Sequence, residues 1–362
     1  MKKINVAVIG YGFSAKVFHL PFIQACEGYN LVAILQRSSS NSLKDFPEVP
    51  IVRNIDELLH LPALDLVVIT STNSTHFEYS KKALLAKKHV IVEKPFTTTL
   101  EQAVELTDLA SRLNLVLAVY HNRRFDGDFK TVSSILEQNL LGQLLEFHSR
   151  FDRFRMQKKN PHAWREDPNQ EGSGVLFDLG PHLIDQAVAL FGVPNTVFAR
   201  VSNQRMLENS SDDAFSLVLD YDIPSKTSSP GTLTVILSAS MITRIKPPRF
   251  SLFGTNGSFV KYGLDVQEPT LISSSIPVNH PLFGIDPQEN WGEVDTSIGS
   301  LHLQGKIETL PGTYISFYEN VRDTINGTSS LIITPQHAIS AIKIIDAAFK
   351  SAKLSAPVSI DQ

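Results

Sequence analysis

The chain has 362 residues, of which 42% are hydrophobic and 19% are charged. This composition is typical of folded globular proteins and excludes collagen-like and intrinsically disordered chains. The formal net charge is −4, and no lysine- or arginine-rich block accompanies it, so we expect no nucleic-acid partner. Because a domain averages about 150 residues, the length predicts two domains or one domain with a large insertion.

The single cysteine, Cys26, cannot form an internal disulfide. The first apolar run is interrupted by Asn5 and ends at Gly10, which is unlike a secretory signal. Both observations predict a reducing, cytoplasmic location. No apolar run approaches the ~18 residues that span a bilayer, so we expect no membrane partner.

Residues 1–123 alternate short β-branched runs with helical patterns. The expected strands are residues 4–9, 31–35, 66–70, 89–92 and 116–120. The expected helices between them are residues 18–26, 76–86 and 100–113. This alternation predicts an α/β domain of the Rossmann type, in which a doubly wound parallel sheet is covered by helices on both faces.

Residues 124–362 have a different pattern, which predicts an α+β domain with a mostly antiparallel, open sheet that binds substrate. The expected strands are residues 145–154, 196–201, 214–220, 232–238 and 249–253, and the expected helices include residues 129–140 and 334–352. A sheet face without helices suits contact with a second copy. We therefore expect a homodimer or a homotetramer.

Two segments of this second domain carry more specific expectations. Asn256-Gly257 predicts a tight hairpin with two residues of positive φ. Residues 265–306 are rich in proline, serine and asparagine and have little periodicity, which predicts long surface loops.

A glycine-rich segment follows the first predicted strand and precedes a helical pattern, which is the context of a dinucleotide-binding fingerprint. It reads Gly10-Tyr11-Gly12-Phe13-Ser14-Ala15. The first glycine allows a tight turn, the second lets the backbone approach a pyrophosphate, and the alanine takes the close-packed third position. We expect these six residues to bind a dinucleotide at a helix N-terminus.

The end of the second predicted strand has no acidic residue and reads Leu35-Gln36-Arg37-Ser38-Ser39. NAD-dependent enzymes place a carboxylate there to bind the ribose 2′-hydroxyl. Arg37 can instead pair with a 2′-phosphate, and Ser38 can donate a hydrogen bond to it, which favours NADP(H) over NAD(H). The alternative is that Arg37 is a solvated loop residue.

A charged pair, Glu93-Lys94, follows the strand predicted at residues 89–92 and precedes Pro95. This position is the carboxyl edge of the sheet, where doubly wound folds bind ligands. The alternative is that Lys94 is a surface loop residue and that Pro95 merely ends the strand.

Asp178 and His182 lie at the start of an apolar helix that is expected to end near Gly192, with Pro181 in its first turn. The helix dipole stabilises an anion at Asp178 and disfavours an imidazolium at His182. A neutral imidazole beside a carboxylate is suited to take a proton from an alcohol. A lone histidine here is more often structural. We expect no metal, because no further ligands have convincing spacing.

Together these motifs resemble the glucose-fructose oxidoreductase, inositol dehydrogenase and MocA (Gfo/Idh/MocA) family over almost the whole chain. The resemblance implies a Rossmann domain, a second domain with an open sheet, and reversible hydride transfer between a nicotinamide and a sugar or polyol carbon. It places Lys94 beside the nicotinamide and the reacting oxygen, makes His182 the acid–base group and Asp178 its partner. The matching segments are Gly10-Tyr11-Gly12-Phe13-Ser14-Ala15, Asn73-Ser74-Thr75-His76, Lys88-His89-Val90-Ile91-Val92-Glu93-Lys94-Pro95, Asn122-Arg123-Arg124-Phe125-Asp126 and Asp178-Leu179-Gly180-Pro181-His182.

The resemblance also implies further cofactor contacts. Trp164-Arg165 is similar to the Trp-Arg pair of NADP-using reductases and inositol dehydrogenases in the family, and the alternative is a packed aromatic beside a surface arginine. Thr72 departs from the family, in which many members carry proline at this position. Residues 177–192 are most similar to NADP-dependent scyllo-inositol dehydrogenases. The remaining implied cofactor contacts are Ser71, Asn73, His76, Glu93 and Asn122.

These observations predict an NADP(H)-dependent oxidoreductase whose substrate is a sugar, an inositol or a related polyol, with NAD(H) as the less favoured cofactor. A second hypothesis is a non-catalytic NAD(P)-binding sensor or transcriptional co-regulator of the same fold. The set Lys94, Asp178 and His182 favours the enzyme, because a regulator has little reason to keep all three. A third hypothesis is a reductase of a non-sugar carbonyl or dihydrodiol, since the sequence of the pocket loops does not indicate which substrate binds.

Overall fold

A computed structural model of the chain describes residues 3–158, 164–223 and 231–360. The strands are β1 Ile4–Ile9, β2 Tyr29–Leu35, β3 Ile51–Val52, β4 Leu66–Ile69, β5 His89–Val92, β6 Leu117–Val119, β7 Leu144–Arg150, β8 Thr196–Ser202, β9 Ala214–Ile223, β10 Gly231–Ser240, β11 Phe250–Gly254, β12 Gly257–Lys261, β13 Gly292–Ile298, β14 Leu301–Ile307 and β15 Val358–Ser359. The α-helices are α1 Leu20–Ala25, α2 Ile55–Leu59, α3 Asn73–Leu85, α4 Leu100–Arg112, α5 Gly127–Glu137, α6 Val175–Asp178, α7 Gly180–Phe191, α8 Gln267–Ser273, α9 Ile315–Ile325 and α10 Pro335–Leu354.

The first sheet is parallel and has the strand order β3-β2-β1-β4-β5-β6. This is the order of a dinucleotide-binding doubly wound fold. Alternate residues of β1 enter two different apolar clusters, with Val6 and Val8 on one face and Ala7 and Ile9 on the other. Both faces are therefore buried, which explains the continuous apolar strands. The predicted Rossmann domain is confirmed.

The chain divides into two compact units, and the first is not continuous in sequence. It contains Met1–Phe125, Gln267–Phe283 and Thr313–Ile339. The second unit contains Asp126–Val266, Gly284–Gly312 and Ser340–Gln362.

This division differs from the two continuous domains, 1–123 and 124–362, that the sequence predicts. The physical reason is the packing of α9, which carries Phe317, Tyr318 and Val321 into the apolar cluster beside Val6 and Val8 of β1. Burial of these large side chains ties the later segment to the first sheet, since each fully buried aromatic or aliphatic side chain contributes about 1.5–3 kcal/mol.

The second sheet is mixed and mostly antiparallel, with the order β14-β13-β12-β11-β7-β10-β9-β8-β15. Its one parallel pair among the described strands is β7 with β10. The predicted α+β domain with a mostly antiparallel sheet is confirmed.

Residues 265–306 are not the long loops that the sequence predicts. They contain α8 and the antiparallel pair of β13 and β14. Nearly every residue of β14 is exposed, so this edge strand carries no buried alternate face that a search for apolar periodicity could find.

The hairpin at Asn256-Gly257 exists, but its predicted turn is wrong. Phe253 pairs with Ser258, which leaves four residues between the paired positions, and neither Asn256 nor Gly257 has a positive φ. Gly257 is required for another reason: a Cβ atom there would overlap the backbone of the neighbouring strand β13. Within the described part of the chain, no helix is both long and apolar enough to cross a membrane.

Candidate active site

The glycine-rich segment forms the turn after β1 and fits a dinucleotide. Gly10 has a φ of +98°, and a Cβ atom there would lie 2.9 Å from the hydroxyl oxygen of Thr70. Gly12 has no atom within 4 Å of the position of a Cβ atom, so its backbone borders open space. Ala15 is fully buried. The three positions thus provide the tight turn, the open approach and the close packing that a pyrophosphate-binding turn requires.

The side chain of Tyr11 ties this turn to the segment that follows β2. Its hydroxyl donates to the Asp45 carboxylate. The Lys16 ammonium lies 3.3 Å from the same carboxylate oxygen and 4.5 Å from the centre of the Tyr11 ring. Burial, together with the neighbouring Asp45 carboxylate, raises the pKa of Tyr11 well above its ordinary value, so Tyr11 remains a hydrogen-bond donor.

The segment after β2 is held by an arginine that the sequence did not single out. Arg53 directly follows β3, and its guanidinium donates to the carbonyl oxygen of Gln36 at 2.9 Å and to the hydroxyl of Ser40 at 2.8 Å. It also donates to the carbonyl oxygen of Ser39. Arg37 lies within the same segment and is exposed. One guanidinium group, that of Arg37, therefore belongs to the loop in which NAD-dependent enzymes place a carboxylate, and a second, that of Arg53, binds this loop from the end of β3.

The loop after β4 is supported by a buried histidine. His76 is fully buried, with Nδ1 2.8 Å from the carbonyl oxygen of Pro95 and Nε2 3.3 Å from that of Ser71. Burial lowers the pKa of His76, which favours a neutral ring, and a neutral ring donates to only one of these two carbonyl oxygens. The hydroxyl of Ser71 lies 2.6 Å from that of Thr75. The cofactor roles that the resemblance gives to Ser71 and His76 stay predictions.

Two asparagines that the resemblance assigns to the cofactor lie at other loop positions of the first unit. Asn73 is the first residue of α3, and Asn122 begins a short 3₁₀ turn after β6. Both side chains are largely buried. They lie beyond the carboxyl ends of β4 and β6, at the edge where doubly wound sheets bind ligands.

Glu93 is the first residue after β5, and its carboxylate accepts hydrogen bonds from three sides. The donors are the hydroxyl of Ser14, the Nε2 atom of His19 at 3.1 Å and the backbone N–H of Lys94 at 3.0 Å. Burial acts to raise the pKa of Glu93, but His19, Lys94 and Ser14 outweigh it and hold the pKa at about 2. The carboxylate is therefore a fixed anion directly before Lys94. The peptide bond from Lys94 to Pro95 is cis.

In the second unit, Asp178 ends α6, and His182 is the third residue of α7. His182 is 7% exposed, and its ring lies nearly parallel to that of Phe151, with 6.4 Å between the ring centres. Pro181 occupies the first turn, and Gly192, with a φ of +79°, caps the helix. The predicted placement of Asp178 and His182 at a helix start is confirmed.

Trp164 and Arg165 lie in a short 3₁₀ turn on the same unit, beside Asp178. The Nε atom of Arg165 is 3.4 Å from the Asp178 carboxylate, and its guanidinium carbon is 4.4 Å from the centre of the Trp164 ring. The carbonyl oxygen of Arg165 accepts the backbone N–H of Gly174 at 2.8 Å. The pair is thus built around Asp178, while its role toward a cofactor stays a prediction.

Asp212, from a distant part of the sequence, caps the N-terminus of α6, the short helix that ends at Asp178. Its carboxylate accepts the backbone N–H of Leu176 at 2.8 Å, and its carbonyl oxygen accepts that of Val175 at 3.0 Å. Gly174 has a φ of +93°, and a Cβ atom there would overlap the Asp212 carboxylate, so both space and backbone conformation require glycine. Burial raises the pKa of Asp212 to about 6.

In residues 3–158, 164–223 and 231–360, no group of three or more histidine, cysteine or acidic side chains is arranged to hold a metal ion.

Comparison with known proteins identifies the family. Residues 4–121 match the NAD-binding Rossmann fold of the oxidoreductase family Gfo/Idh/MocA, and residues 134–360 match the C-terminal alpha/beta domain of the same family. The chain belongs to this family. It is an oxidoreductase with an NAD(P)-binding Rossmann domain, as the motifs predict.

Relatives in the Gfo/Idh/MocA family match this chain over nearly its full length. The uncharacterized oxidoreductase YdgJ of Escherichia coli K12 is 38% identical over 97% of this chain and 96% of its own. IolW of Bacillus subtilis 168, a scyllo-inositol 2-dehydrogenase (NADP(+)), is 35% identical over 97% of this chain and 94% of its own. The solved structure of the Bacillus subtilis oxidoreductase yvaA is similar with a TM-score of 0.90 at 32% identity, and the match covers 99% of this chain and 100% of that one.

Three residues of the site carry almost no signal in the sequence. Arg53 follows a strand of only two residues, Asp212 is distant in sequence from the helix it caps, and Glu93 lies 74 positions after His19. A basic residue directly after an apolar dipeptide was the one sequence feature that could have pointed to Arg53.

Proposed function

We propose that this Gfo/Idh/MocA protein is an NADP(H)-dependent oxidoreductase that transfers a hydride between the nicotinamide and a CH–OH carbon of a sugar, an inositol or a related polyol. The observation that carries the cofactor part is the loop after β2, which holds Arg37 and serine hydroxyls and is fastened by Arg53. A guanidinium and hydroxyl groups suit a 2′-phosphate, whereas a carboxylate would repel it.

The substrate part is supported by the relatives and by the motif at α7. IolW is named for scyllo-inositol and NADP+, and it is 35% identical to this chain. Residues Asp178-Leu179-Gly180-Pro181-His182 provide a carboxylate and an imidazole at a helix start. Such a pair suits the removal of a proton from an alcohol.

The chemical roles divide among three residues. A bound nicotinamide would supply the hydride acceptor for oxidation of the alcohol carbon and the hydride donor for reduction of the carbonyl carbon. His182 takes the hydroxyl proton in the oxidative direction and gives it back in reduction. Asp178 stabilises the charge that His182 acquires. The Lys94 ammonium stabilises negative charge on the reacting oxygen, a role comparable to that of a single oxyanion-hole donor.

The geometry on the first unit supports the role of Lys94. Its backbone N–H donates to the largely buried Glu93 carboxylate, so the backbone at Lys94 has a fixed direction. A charged group acts most effectively in a preorganised position, because no reorganisation is then needed during the reaction.

The open sheet of the second unit supports a homo-oligomer. Apolar side chains on β7, β11 and β14 remain partly exposed, with Leu145 at 44%, Phe253 at 39% and Leu303 at 47%. Exposed apolar side chains on one sheet suit a symmetric contact with a second copy of the chain.

The proposal is tested by a turnover screen. The purified protein is assayed with NADP+ and with NAD+ against inositol isomers, other polyols and aldoses, and with NADPH against ketoses, inososes and simple ketones. We expect the highest kcat/KM with NADP+ and a cyclic or linear polyol. Preference for NAD+ would contradict the cofactor assignment. Turnover of simple ketones alone would favour a carbonyl reductase, and tight cofactor binding without any turnover would favour a sensor.

A further inference from the structure

His19 occupies an unusual and fully buried position directly after the glycine-rich turn. It ends a π-helical stretch, Ala15–His19, that precedes α1. Single π-helical turns are rare and concentrate at functional sites, because the extra residue redirects a side chain. Here the turn directs the imidazole into the unit, where its ring centre lies 4.2 Å from that of Tyr120.

Both ring nitrogens of His19 have partners, and the Glu93 carboxylate places a proton on Nε2. Nε2 lies 3.1 Å from Oε1 of Glu93, and Nδ1 lies 2.6 Å from the hydroxyl oxygen of Tyr318. A carboxylate can only accept, so Nε2 donates to Glu93. Burial raises the pKa of Tyr318 far above its ordinary value, so the phenol keeps its proton and can donate it to Nδ1.

These hydrogen bonds form one directed chain that ends at Glu93. Tyr318 shares a hydrogen bond with His19, His19 donates to Glu93, and the same carboxylate accepts from Ser14 and from the backbone of Lys94. Ser14 belongs to the glycine-rich turn, and Lys94 is the proposed electrostatic catalyst. A shift of the Glu93 carboxylate would therefore disturb both the cofactor turn and the base of the Lys94 side chain.

We propose that His19 is a positioning residue, oriented by Tyr318, that fixes the Glu93 carboxylate and through it both the cofactor turn at Ser14 and the catalytic Lys94. The cofactor half of the inference needs only the family's NAD(P)-binding fold, whereas the Lys94 half rests on the proposed function. Nothing in this role depends on the identity of the substrate.

Two substitutions separate positioning from simple core packing. In His19→Gln, the amide nitrogen lies near the former Nε2 atom and can still donate to Glu93. In His19→Asn, the shorter amide lies near the former Nδ1 atom and cannot reach Glu93. Both are polar and smaller than histidine, so they share the cost of an altered core. Tyr318→Phe keeps the core volume and removes only the donor that orients His19.

Tyr29→Phe serves as the matched control. The Tyr29 hydroxyl donates to the backbone carbonyl of Tyr318 at 2.7 Å, so this variant also loses a buried tyrosine hydrogen bond in the same core. It leaves the chain from Tyr318 to Glu93 intact. We expect a lower melting temperature for Tyr29→Phe with unchanged cofactor affinity.

The measurements are the dissociation constants of NADPH and NADH from fluorescence titration, the melting temperature, and kcat on a substrate from the screen. We expect His19→Asn to raise both dissociation constants about tenfold, because the pyrophosphate turn is common to the two cofactors, and to lower kcat by about tenfold or more. His19→Gln should restore most of both losses. Tyr318→Phe should show smaller changes in the same direction.

The outcomes can be told apart. Equal cofactor affinities in His19→Gln and His19→Asn would overturn the inference, as would losses in Tyr29→Phe that match those in His19→Asn. A change in dissociation constants without any change in kcat would overturn its Lys94 half. If wild type prefers NADH, or turns over no polyol, the proposed function fails, yet the comparison of cofactor affinities between the two His19 variants still decides the cofactor half.

Discussion

The loop after β2 yields the most discriminating prediction. Arg37→Ala removes the guanidinium that we expect to face the 2′-phosphate, and Arg53→Gln removes the group that fastens the loop. NADP(H) and NAD(H) differ only in that phosphate. Both substitutions should therefore weaken NADP binding and leave NAD binding nearly unchanged, although Arg53 acts mainly through the loop.

The expected magnitudes follow from the hydrogen bonds that each substitution is expected to remove. A direct charge-assisted pair with phosphate is lost in Arg37→Ala, which predicts an increase in the NADP dissociation constant of about 10- to 100-fold. Arg53 makes three hydrogen bonds to the loop backbone and to Ser40. A glutamine is too short to replace them, and the loss of one or two at about 1 kcal/mol each predicts an increase of about 5- to 30-fold. Since the two arginines share one loop, the double variant should lose less than the product of the two factors.

The assay is a titration of NADP+ and NAD+ into wild type, the two single variants and the double variant, at two salt concentrations. Arg112→Gln, at the exposed end of α4, is the control for a change in net charge. Screening predicts that salt weakens NADP binding more than NAD binding in wild type and that this difference shrinks in Arg37→Ala. Equal losses for the two cofactors, or tighter NAD binding by wild type, would refute the reasoning.

Three further predictions concern the chemistry, the stability and the assembly. Lys94→Ala and His182→Ala should each lower kcat by about 100-fold or more, with cofactor affinity nearly unchanged. In the double variant, kcat should fall by far less than the product of the two single factors. Near-wild-type turnover in both single variants would show that these residues do not act in the reaction. Burial raises the pKa of Asp212 to about 6, whereas the pKa of an aspartate in the unfolded chain is about 3.9. The folded state therefore binds this proton more tightly than the unfolded state. The contribution of Asp212 to the free energy of unfolding should fall by on the order of 2–3 kcal/mol as the pH rises from about 4 to about 6. Urea unfolding gives the free energy of unfolding of wild type and of Asp212→Asn, and the difference between the two should fall across this pH range. A difference that does not change with pH would contradict the shift. Sedimentation at micromolar concentration should show a species larger than the 40.1 kDa chain, and a single 40.1 kDa species would contradict assembly through the open sheet.

Sequence patterns predict the first unit well where burial determines the residue types. β1 and β5 have the predicted bounds, and α4 begins where Thr99 provides a capping hydroxyl that accepts the backbone N–H of Gln102. Strands buried on both faces must be continuously apolar, so each appears in the sequence as an uninterrupted run of apolar residues. β3 has two residues, and β14 is an exposed edge, so neither appears as such a run.

The residues of the site also fall into two groups, those that sequence patterns predict and those that they do not. The glycine-rich turn and the start of α7 are local, since the residues that form each are neighbours in sequence, and both lie where the motifs predict. The contacts of Arg53 and Asp212 depend on which strands lie side by side, which no local pattern encodes. Gln36 and Arg53 meet because β2 and β3 are paired.

The discontinuous first unit explains why no sequence pattern identifies His19 as a residue of the site. As a sequence position, His19 is one polar residue in an apolar helix, and its partner Tyr318 lies 299 positions away on α9. Two continuous domains would place Tyr318 in the second domain and leave the imidazole with only Glu93. The return of residues 313–339 to the first unit provides both the aromatic packing on β1 and the donor that orients His19. Residues 313–339, which belong to the first compact unit although they follow residue 123, therefore also complete the hydrogen-bond chain behind the cofactor turn. Residues 1–123 alone would lack Tyr318, the partner that orients His19 toward Glu93.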